Sequence, residues 1–293
     1  MILVTGAAGK TGRAVISALV RKKQLVRALV YREEQVHQVE SLGATDVVVG
    51  DMRSKDTLER AVDGSESTYH ICPNASPDEL QLGRSIIASA VSANVGHFVY
   101  HSVLHPQVES MPHHWMKMRV EEVLLGSGLN FSILQPAPYM QNLQGQLNEI
   151  LERGIYPVPY SVNAPMSLVD LEDVAEAAAN VLTDHMHVGA TYELAGPEVL
   201  TPDRMAEILS RHLSRVVHTT QISLKTWRQQ AQTAGLGGYQ LETLEKMFAY
   251  YDRNGLRGNP LVLKALLGRQ PTSFGDYVKR TIQSGSSETK PGG

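Results

Sequence analysis

The chain has a single cysteine, Cys72, so no intrachain disulfide can form, and that count suits a reducing compartment. It has no excess of basic residues. Its 27 Lys and Arg stand against 30 Asp and Glu, a formal net charge of −3 with a pI near 6.4. With nothing to neutralise phosphates in bulk, a nucleic-acid partner is not expected. No stretch reaches the roughly 20 apolar residues of a membrane span. Met1 to Val4 is apolar, but Gly6, Gly9 and Lys10 follow at once. The basic region and apolar run of about 7–15 residues that mark a secretory signal are therefore missing. The expectation is a cytoplasmic protein with no membrane partner, monomeric or homodimeric. No internal repeat is visible.

What the chain does have is enough apolar residues for a packed core: 42% hydrophobic against 19% charged over 293 residues. That length suits one large domain, or a core domain plus a smaller one. The first half alternates short apolar runs with amphipathic segments. Ile2–Thr5, Leu25–Tyr31, Asp46–Gly50, Ser67–Cys72, His97–Ser102 and Asn130–Gln135 read as strands. Between them Arg13–Arg21, Glu33–Ser41, Ser54–Val62, Asp78–Ala93 and Trp115–Leu125 carry apolar residues at helical spacing. Continuous apolar strands separated by helices imply an α/β fold with a doubly wound parallel sheet, covered on both faces. After about residue 137 the alternation loosens, interrupted by Pro138, Pro157, Pro159 and Pro165. Leu171–Leu182, Pro202–Leu213, Leu241–Asp252 and Pro260–Leu267 read as helices and Thr191–Leu194 as a strand. The expected domains are a sheet domain over residues 1–136, to which 166–190 returns, and a smaller, mostly helical C-terminal substrate domain from 137–165 and 191–283. The Ser, Gly and Lys-rich tail 284–293 is expected to be disordered.

Val4-Thr5-Gly6-Ala7-Ala8-Gly9-Lys10-Thr11-Gly12 follows the first strand and opens the first helix, the context in which a glycine motif carries meaning. One glycine allows the tight turn, the next lets backbone approach a pyrophosphate, and the last lets helix pack on strand. Free N–H groups and partial positive charge at the helix start then face the phosphates. The expected contacts here are Gly6, Ala8, Gly9, Lys10, Thr11 and Gly12. Gly9-Lys10-Thr11 looks like the end of a triphosphate-binding loop, but that loop needs glycine where Val4 stands. Arg32 ends the second strand where an acid would select the ribose 2′-OH, and a guanidinium there suits a 2′-phosphate. The cofactor expected is therefore NADP(H), with NAD(H) as the lesser choice. Asp51 and Met52, after the third strand, are placed for the adenine; Asp51 could equally cap the next helix. Cys72 and Pro73 end the fourth strand, where Cys72 reads as a small buried wall.

The Gly-x-x-Gly-x-x-Gly spacing, Gly50-Asp51, the His101-Ser102 strand end and Gln135-Pro136-Ala137-Pro138-Tyr139-Met140-Gln141-Asn142 together resemble the NmrA-like family of atypical short-chain dehydrogenases, NAD(P)-binding Rossmann-fold proteins. Gly258-Asn259-Pro260 and Pro271-Thr272-Ser273-Phe274 add to the likeness, which spans most of residues 1–280. The resemblance implies NAD(P)(H) binding with reductase activity on quinones or aromatic compounds, or a redox-sensing role through a protein partner.

Short-chain dehydrogenases use a Ser and then Tyr-x-x-x-Lys. Here Ser102 and Lys117 match, but His113 stands where the Tyr should be. Either His113 is the acid, or no side chain need donate, or nothing turns over. Lys117 is assigned a contact to the nicotinamide ribose, with pairing to Glu121 one turn on as the bland alternative. Gln135, Pro136 and Ala137 are placed beside the nicotinamide, where the two prolines hold the backbone extended. Tyr139, Asn142, Trp115 and Phe248 are expected to line the site of a planar, apolar small-molecule substrate. His97, His101 and His105 recur every four residues, but they lack a companion ligand set and no metal is expected. A nucleotide-sugar epimerase would need the missing Tyr and ranks last.

Overall fold

The computed structural model describes residues 1–288, with side chains through residue 283. The chain begins β1 (Ile2–Val4), α1 (Lys10–Arg21), β2 (Val26–Val30), α2 (Val36–Glu40), β3 (Asp46–Val49), α3 (Lys55–Val62) and β4 (Ser67–His70). It continues α4 (Glu79–Ser92), β5 (His97–His101), α5 (Pro112–Leu125) and β6 (Phe131–Pro136). Then come α6 (Leu147–Arg153), β7 (Ile155–Val158), β8 (Met166–Ser167), α7 (Leu171–Thr183), β9 (Thr191–Leu194) and β10 (Val199–Leu200). The remainder is α8 (Pro202–Leu213), β11 (His218–Gln221), α9 (Leu224–Thr233), α10 (Gly238–Asn254), α11 (Leu261–Leu267) and α12 (Phe274–Glu288).

Seven strands form one sheet in the order β3-β2-β1-β4-β5-β6-β9, every pair parallel. The order reverses between β1 and β4, so the crevice beyond their carboxyl ends is the switch point where such sheets bind ligands. Leu3, Val4, Tyr69, Val99 and Ile133 are essentially inaccessible to water, as strands covered on both faces must be.

Local sequence explains how the helices pack. In α1, Val15, Ile16 and Leu19 form one buried stripe. The run Ala175, Ala177, Ala178 and Ala179 in α7 is fully buried; side chains this small let α7 lie close against α1. Gly83 does the same between α4 and α5, since a Cβ there would stand 2.7 Å from both Val120 methyls.

The expected division into two domains needs correction. The strand Thr191–Leu194, expected in the smaller domain, is instead the seventh strand of the main sheet, with Leu134 paired to Tyr192. Residues 171–183 pack as α7 on α1, while β8 pairs with β10 rather than with the main sheet. Tyr156, Met205, Phe274 and Tyr277 share one hydrophobic cluster with Val4 and Val15, so the C-terminal elements extend the sheet domain's core. The tail expected to be disordered also differs: α12 continues to Glu288, and 289–293 lie outside the described residues. Among the described residues no helix is long and apolar enough to cross a membrane.

Candidate active site

The glycine loop is held by side chains as well as by its own turns. Thr5 Oγ1 accepts from the Ile71 N–H at 2.9 Å, tying the loop to the end of β4. Gly6 has φ +57, a left-handed conformation that favours glycine. A Cβ on Gly12 would stand 2.5 Å from the Gly6 carbonyl oxygen. The loop therefore closes onto the helix only because both positions lack side chains. The first N–H groups of α1 have no carbonyl one turn back to take them, and no side chain caps them. A backbone cradle with inward N–H groups and no acid in the first turn fits a diphosphate.

One cleft of about 1590 Å³ runs from this loop across the strand ends into the C-terminal region. Gly6, Ala8, Gly9, Lys10, Thr11 and Gly12 all line it, as do Asp51, Met52, Cys72 and Pro73. Asp51 faces the cleft while accepting from the Arg53 N–H at 2.9 Å; the cap of α3 is Ser54 instead, which accepts from Thr57. Cys72 is the small buried wall expected, its thiol pushed up by burial. Arg32 does not line the cleft, although its neighbours Tyr31 and Gln35 do. At this end of the cleft the arginine that lines it is Arg53, braced by Asp78 at 2.5 Å and Asp51 at 3.5 Å; Arg153 lines it farther along the chain, beside Tyr156. Sequence reasoning stopped at Met52 and missed Arg53, though the residue after Gly50-Asp51-Met52 was the place to look.

Around β5 and α5, four expected residues separate by role. Lys117 lines the cleft floor and is buried, with Nζ 3.0 Å from both Glu79 Oε1 and the His101 carbonyl. Glu79, from α4, is its partner; the expected alternative, Glu121, is not. Tyr100 donates to the same Glu79 oxygen at 2.9 Å. Ser102 lines the cleft, but it gives its hydroxyl proton to Glu121. Gln135 does not reach the cleft: its amide donates to both Glu121 oxygens at 3.0 Å. Burial raises the Glu121 carboxyl, while the bonds from Ser102 and Gln135 pull it back. His113 faces the cleft, but burial, and then the charge of Lys117, hold its imidazole well below the ordinary range. At neutral pH it is uncharged, which removes the proton that made it attractive as an acid.

Pro136, Ala137, Tyr139 and Asn142 line the next stretch of the cleft, as expected. Tyr139 Oη lies 2.7 Å from His101 Nε2 and 3.3 Å from Thr11 Oγ1. The far end is walled by Tyr156, Tyr160, Trp227, Met247, Phe248 and Tyr251. Trp227 and Phe248 meet edge to face with ring centroids 4.9 Å apart. Phe248 was expected here; Trp115 was too, but it stays out of the cleft and Trp227 supplies the indole. Helix α9 did carry a short signal, Leu224, Trp227 and Ala231 at i, i+3 and i+7 among polar residues, which sequence reasoning passed over.

A doubly wound parallel sheet with a side-chain-free phosphate cradle at its switch point defines a dinucleotide-binding α/β protein of the Rossmann class. The chain belongs to the NmrA-like family, which residues 1–287 match. It is similar to the NAD(P)H azoreductase of Xenophilus azovorans, 27% identical over 281 residues covering 95% of this chain and 97% of that one. It is also similar to quinone oxidoreductase 2 of Escherichia coli strain K12, 25% identical with 95% and 97% covered. The fold is that of the NADPH-dependent quinone oxidoreductase from Escherichia coli complexed with NADPH (TM-score 0.85, 24% identity, 96% of this chain and 100% of that one). Triphenylmethane reductase from Citrobacter sp., complexed with NADP(H), has the same fold (TM-score 0.85, 23% identity, 96% and 99%).

Proposed function

We propose that this chain is an NADPH-dependent reductase that passes hydride to a planar, conjugated acceptor such as a quinone or an azo compound. The observation that carries the reading is the continuity of the cleft. A phosphate cradle at one end and an aromatic wall at the other share a single volume, with Pro136, Ala137 and Tyr139 between them. NADPH bound along the strand ends supplies the hydride. The N–H groups at the start of α1 would hold its diphosphate, Arg53 would meet a 2′-phosphate, and Lys117 closes the floor. The aromatic wall accepts a flat ring system and keeps water from it. The named relatives reduce azo compounds and quinones, which supports the same acceptor class for this chain.

The rival reading, a sensor of the NADP/NADPH ratio acting through a protein partner, needs only the cradle. It leaves the aromatic half of the cleft without a purpose. Stopped-flow loss of NADPH absorbance with 1,4-naphthoquinone, methyl red and a cationic triphenylmethane dye tests the proposal. Turnover with at least one is expected. Tight NADPH binding with no turnover on any of them overturns it in favour of the sensor.

A further inference from the structure

We propose that Tyr139 is the proton donor of the reaction, giving its hydroxyl proton to the acceptor atom that becomes basic once hydride has arrived. This rests on the reductase reading above. It restores to the site a phenol acid that the helix position of His113 lacks, and brings it from a different element.

The argument starts at the buried end of a hydrogen-bonded chain. Tyr69, on β4, is inaccessible to water, and His101 Nδ1 at 2.6 Å is the one partner of its hydroxyl among the described residues. A buried phenol that only accepted would leave its own proton without an acceptor, at the cost of an unmade hydrogen bond. Tyr69 therefore donates to Nδ1. In a neutral imidazole the proton must then sit on Nε2. Burial, with the charge of Lys117 adding to it, keeps His101 neutral down to about pH 3. Nε2–H thus donates to Tyr139 Oη at 2.7 Å, and the Thr11 hydroxyl donates to the same oxygen at 3.3 Å. With both approaches to its oxygen taken by donors, Tyr139 has its own O–H left over, and among the described residues no acceptor claims it. The residue lines the cleft between the phosphate cradle and the aromatic wall.

Position is fixed as firmly as protonation. Pro138 holds the backbone extended, and its carbonyl accepts from the Val169 N–H at 3.0 Å. The Met140 N–H returns a bond to the Val169 carbonyl at 2.9 Å. Tyr139 is thereby locked beside Val169, between β8 and α7, and cannot swing with the loop that follows.

The step balances. Hydride adds to a quinone carbon or oxygen and leaves a hydroquinone monoanion. The Tyr139 O–H bond breaks, the acceptor gains an O–H bond, and the negative charge passes to the phenolate. Burial raises the Tyr139 phenol above its ordinary range and so keeps its proton on until an acceptor arrives, while the Thr11 hydroxyl pulls the other way; the phenolate, once formed, keeps the bonds from His101 Nε2–H and Thr11. A proton from solvent restores Tyr139 when product leaves. His101 and Tyr69 act on the proton only through Tyr139, so they are positioning residues, although His101 also lines the cleft.

Two acceptors separate proton donation from everything else. Reduction of 1,4-naphthoquinone needs a proton as well as hydride. A cationic triphenylmethane dye becomes neutral on taking hydride and needs none. In single turnovers with NADPH, Tyr139→Phe is expected to lower the ratio of quinone rate to dye rate by about 10²- to 10⁴-fold, the usual contribution of a general acid. Tyr69→Phe, outside the cleft, is expected to lower the same ratio by a smaller factor. An unchanged ratio in Tyr139→Phe overturns the proposal, because a role in folding or cofactor binding would slow both acceptors alike. A second measurement stands apart from turnover. Quenching of tryptophan fluorescence by 1,4-naphthoquinone in the NADP⁺-loaded protein should show roughly 3- to 10-fold weaker binding in Tyr139→Phe, the cost of one hydrogen bond. Equal affinity overturns the proposal even if the wild-type protein reduces neither acceptor, an outcome that would itself overturn the reductase reading.

Discussion

Lys117 and Glu79 form a buried ion pair at 3.0 Å, with side chains only 6% and 0% exposed. The pair joins α5 to α4 directly beneath the cleft, and Tyr100 shares the carboxylate. One oxygen, Glu79 Oε2, has no ordinary hydrogen-bond partner among the described residues, and the Cys72 thiol lies against this carboxylate. Two charges taken out of water repay their desolvation only while both are present. Glu79→Gln should therefore cost about 3–5 kcal/mol of stability, since it strands a buried ammonium. Glu79→Gln with Lys117→Met should cost much less than the sum of the single changes. Urea unfolding of the four proteins in the cycle measures this, and additive losses would show that the two groups do not depend on each other.

Cofactor selection divides between two arginines. Arg32 follows β2 at the position where sequence places the discriminating residue, yet Arg53 is the one that lines the cleft. Arg53 is already held by Asp78 and Asp51, so its fork is ordered before any phosphate arrives, which limits the entropy lost on binding. A guanidinium on a phosphate makes charge-assisted hydrogen bonds, which are stronger than neutral ones. Arg53→Ala should thus weaken NADPH by roughly 10- to 100-fold and NADH far less. Arg32→Ala should show the smaller selectivity loss of the two. Calorimetric titration of both variants with both coenzymes decides it; a larger selective loss in Arg32→Ala would return the role to that residue.

How much of this was legible in the sequence depends on how local the cause is. The strand–helix alternation and the glycine loop were readable because their patterns repeat within a few residues. The strand Thr191–Leu194 was found as a strand but given to the wrong unit, because pairing with β6 is a long-range choice that its four residues do not encode. Lys117 was assigned a ribose contact from its place on the helix, and the structure puts it on the cleft floor. Its partner Glu79 lies 38 positions away, beyond any helical spacing rule, so Glu121 was the only acid that periodicity offered. Ser102 lines the cleft, and its bond to Glu121 was likewise not readable from spacing. Tyr139 was picked out as a lining residue, while its link to His101 exists only because β5 and β6 are neighbours in the sheet.

Acid sensitivity follows from the buried histidines. Burial, then the Lys117 charge, depresses His70 and His101 from 6.5 to about 3. Burial also lowers His97 and His114 from 6.5 to about 4. Above pH 6.5 these imidazoles are neutral in both folded and unfolded chains and cost nothing. As pH falls below 6.5 the unfolded chain takes up protons that the folded one refuses, so stability drops until the folded values are reached. Each such histidine contributes a slope of about 1.4 kcal/mol per pH unit near pH 5. Glu121, raised by burial, acts in the opposite direction and takes back part of one slope. Urea midpoints should therefore fall steeply from pH 6.5 to pH 5. His97 lies at the end of β5 away from the cleft, bonded to Ser132 at 2.9 Å, with no partner for Nδ1 among the described residues. His97→Gln should flatten the pH dependence by about one histidine's share, and an unaltered slope would mean that this imidazole charges freely in the folded protein.

The aromatic end of the cleft should bind acceptor independently of the coenzyme. Trp227 is carried by α9, and the Arg228–Glu245 ion pair at 2.5 Å fixes α9 to α10. That bond sets the edge-to-face contact of Trp227 with Phe248, which in turn meets Tyr160 at 6.0 Å. The three rings make a wall whose shape depends on each member, and an aromatic pair of this kind contributes about 0.5–1.5 kcal/mol beyond its buried area. Trp227→Leu keeps an apolar residue but removes the flat face. It is expected to weaken binding of 1,4-naphthoquinone by roughly tenfold, from lost area and the lost ring contact together, with NADPH affinity unchanged because the phosphate cradle lies at the other end of the cleft. Equilibrium dialysis of the quinone and calorimetry of NADPH on the same preparation separate the two effects. If both affinities fell together, the wall and the cradle would form one mutually dependent site, and the acceptor could not have a pocket of its own.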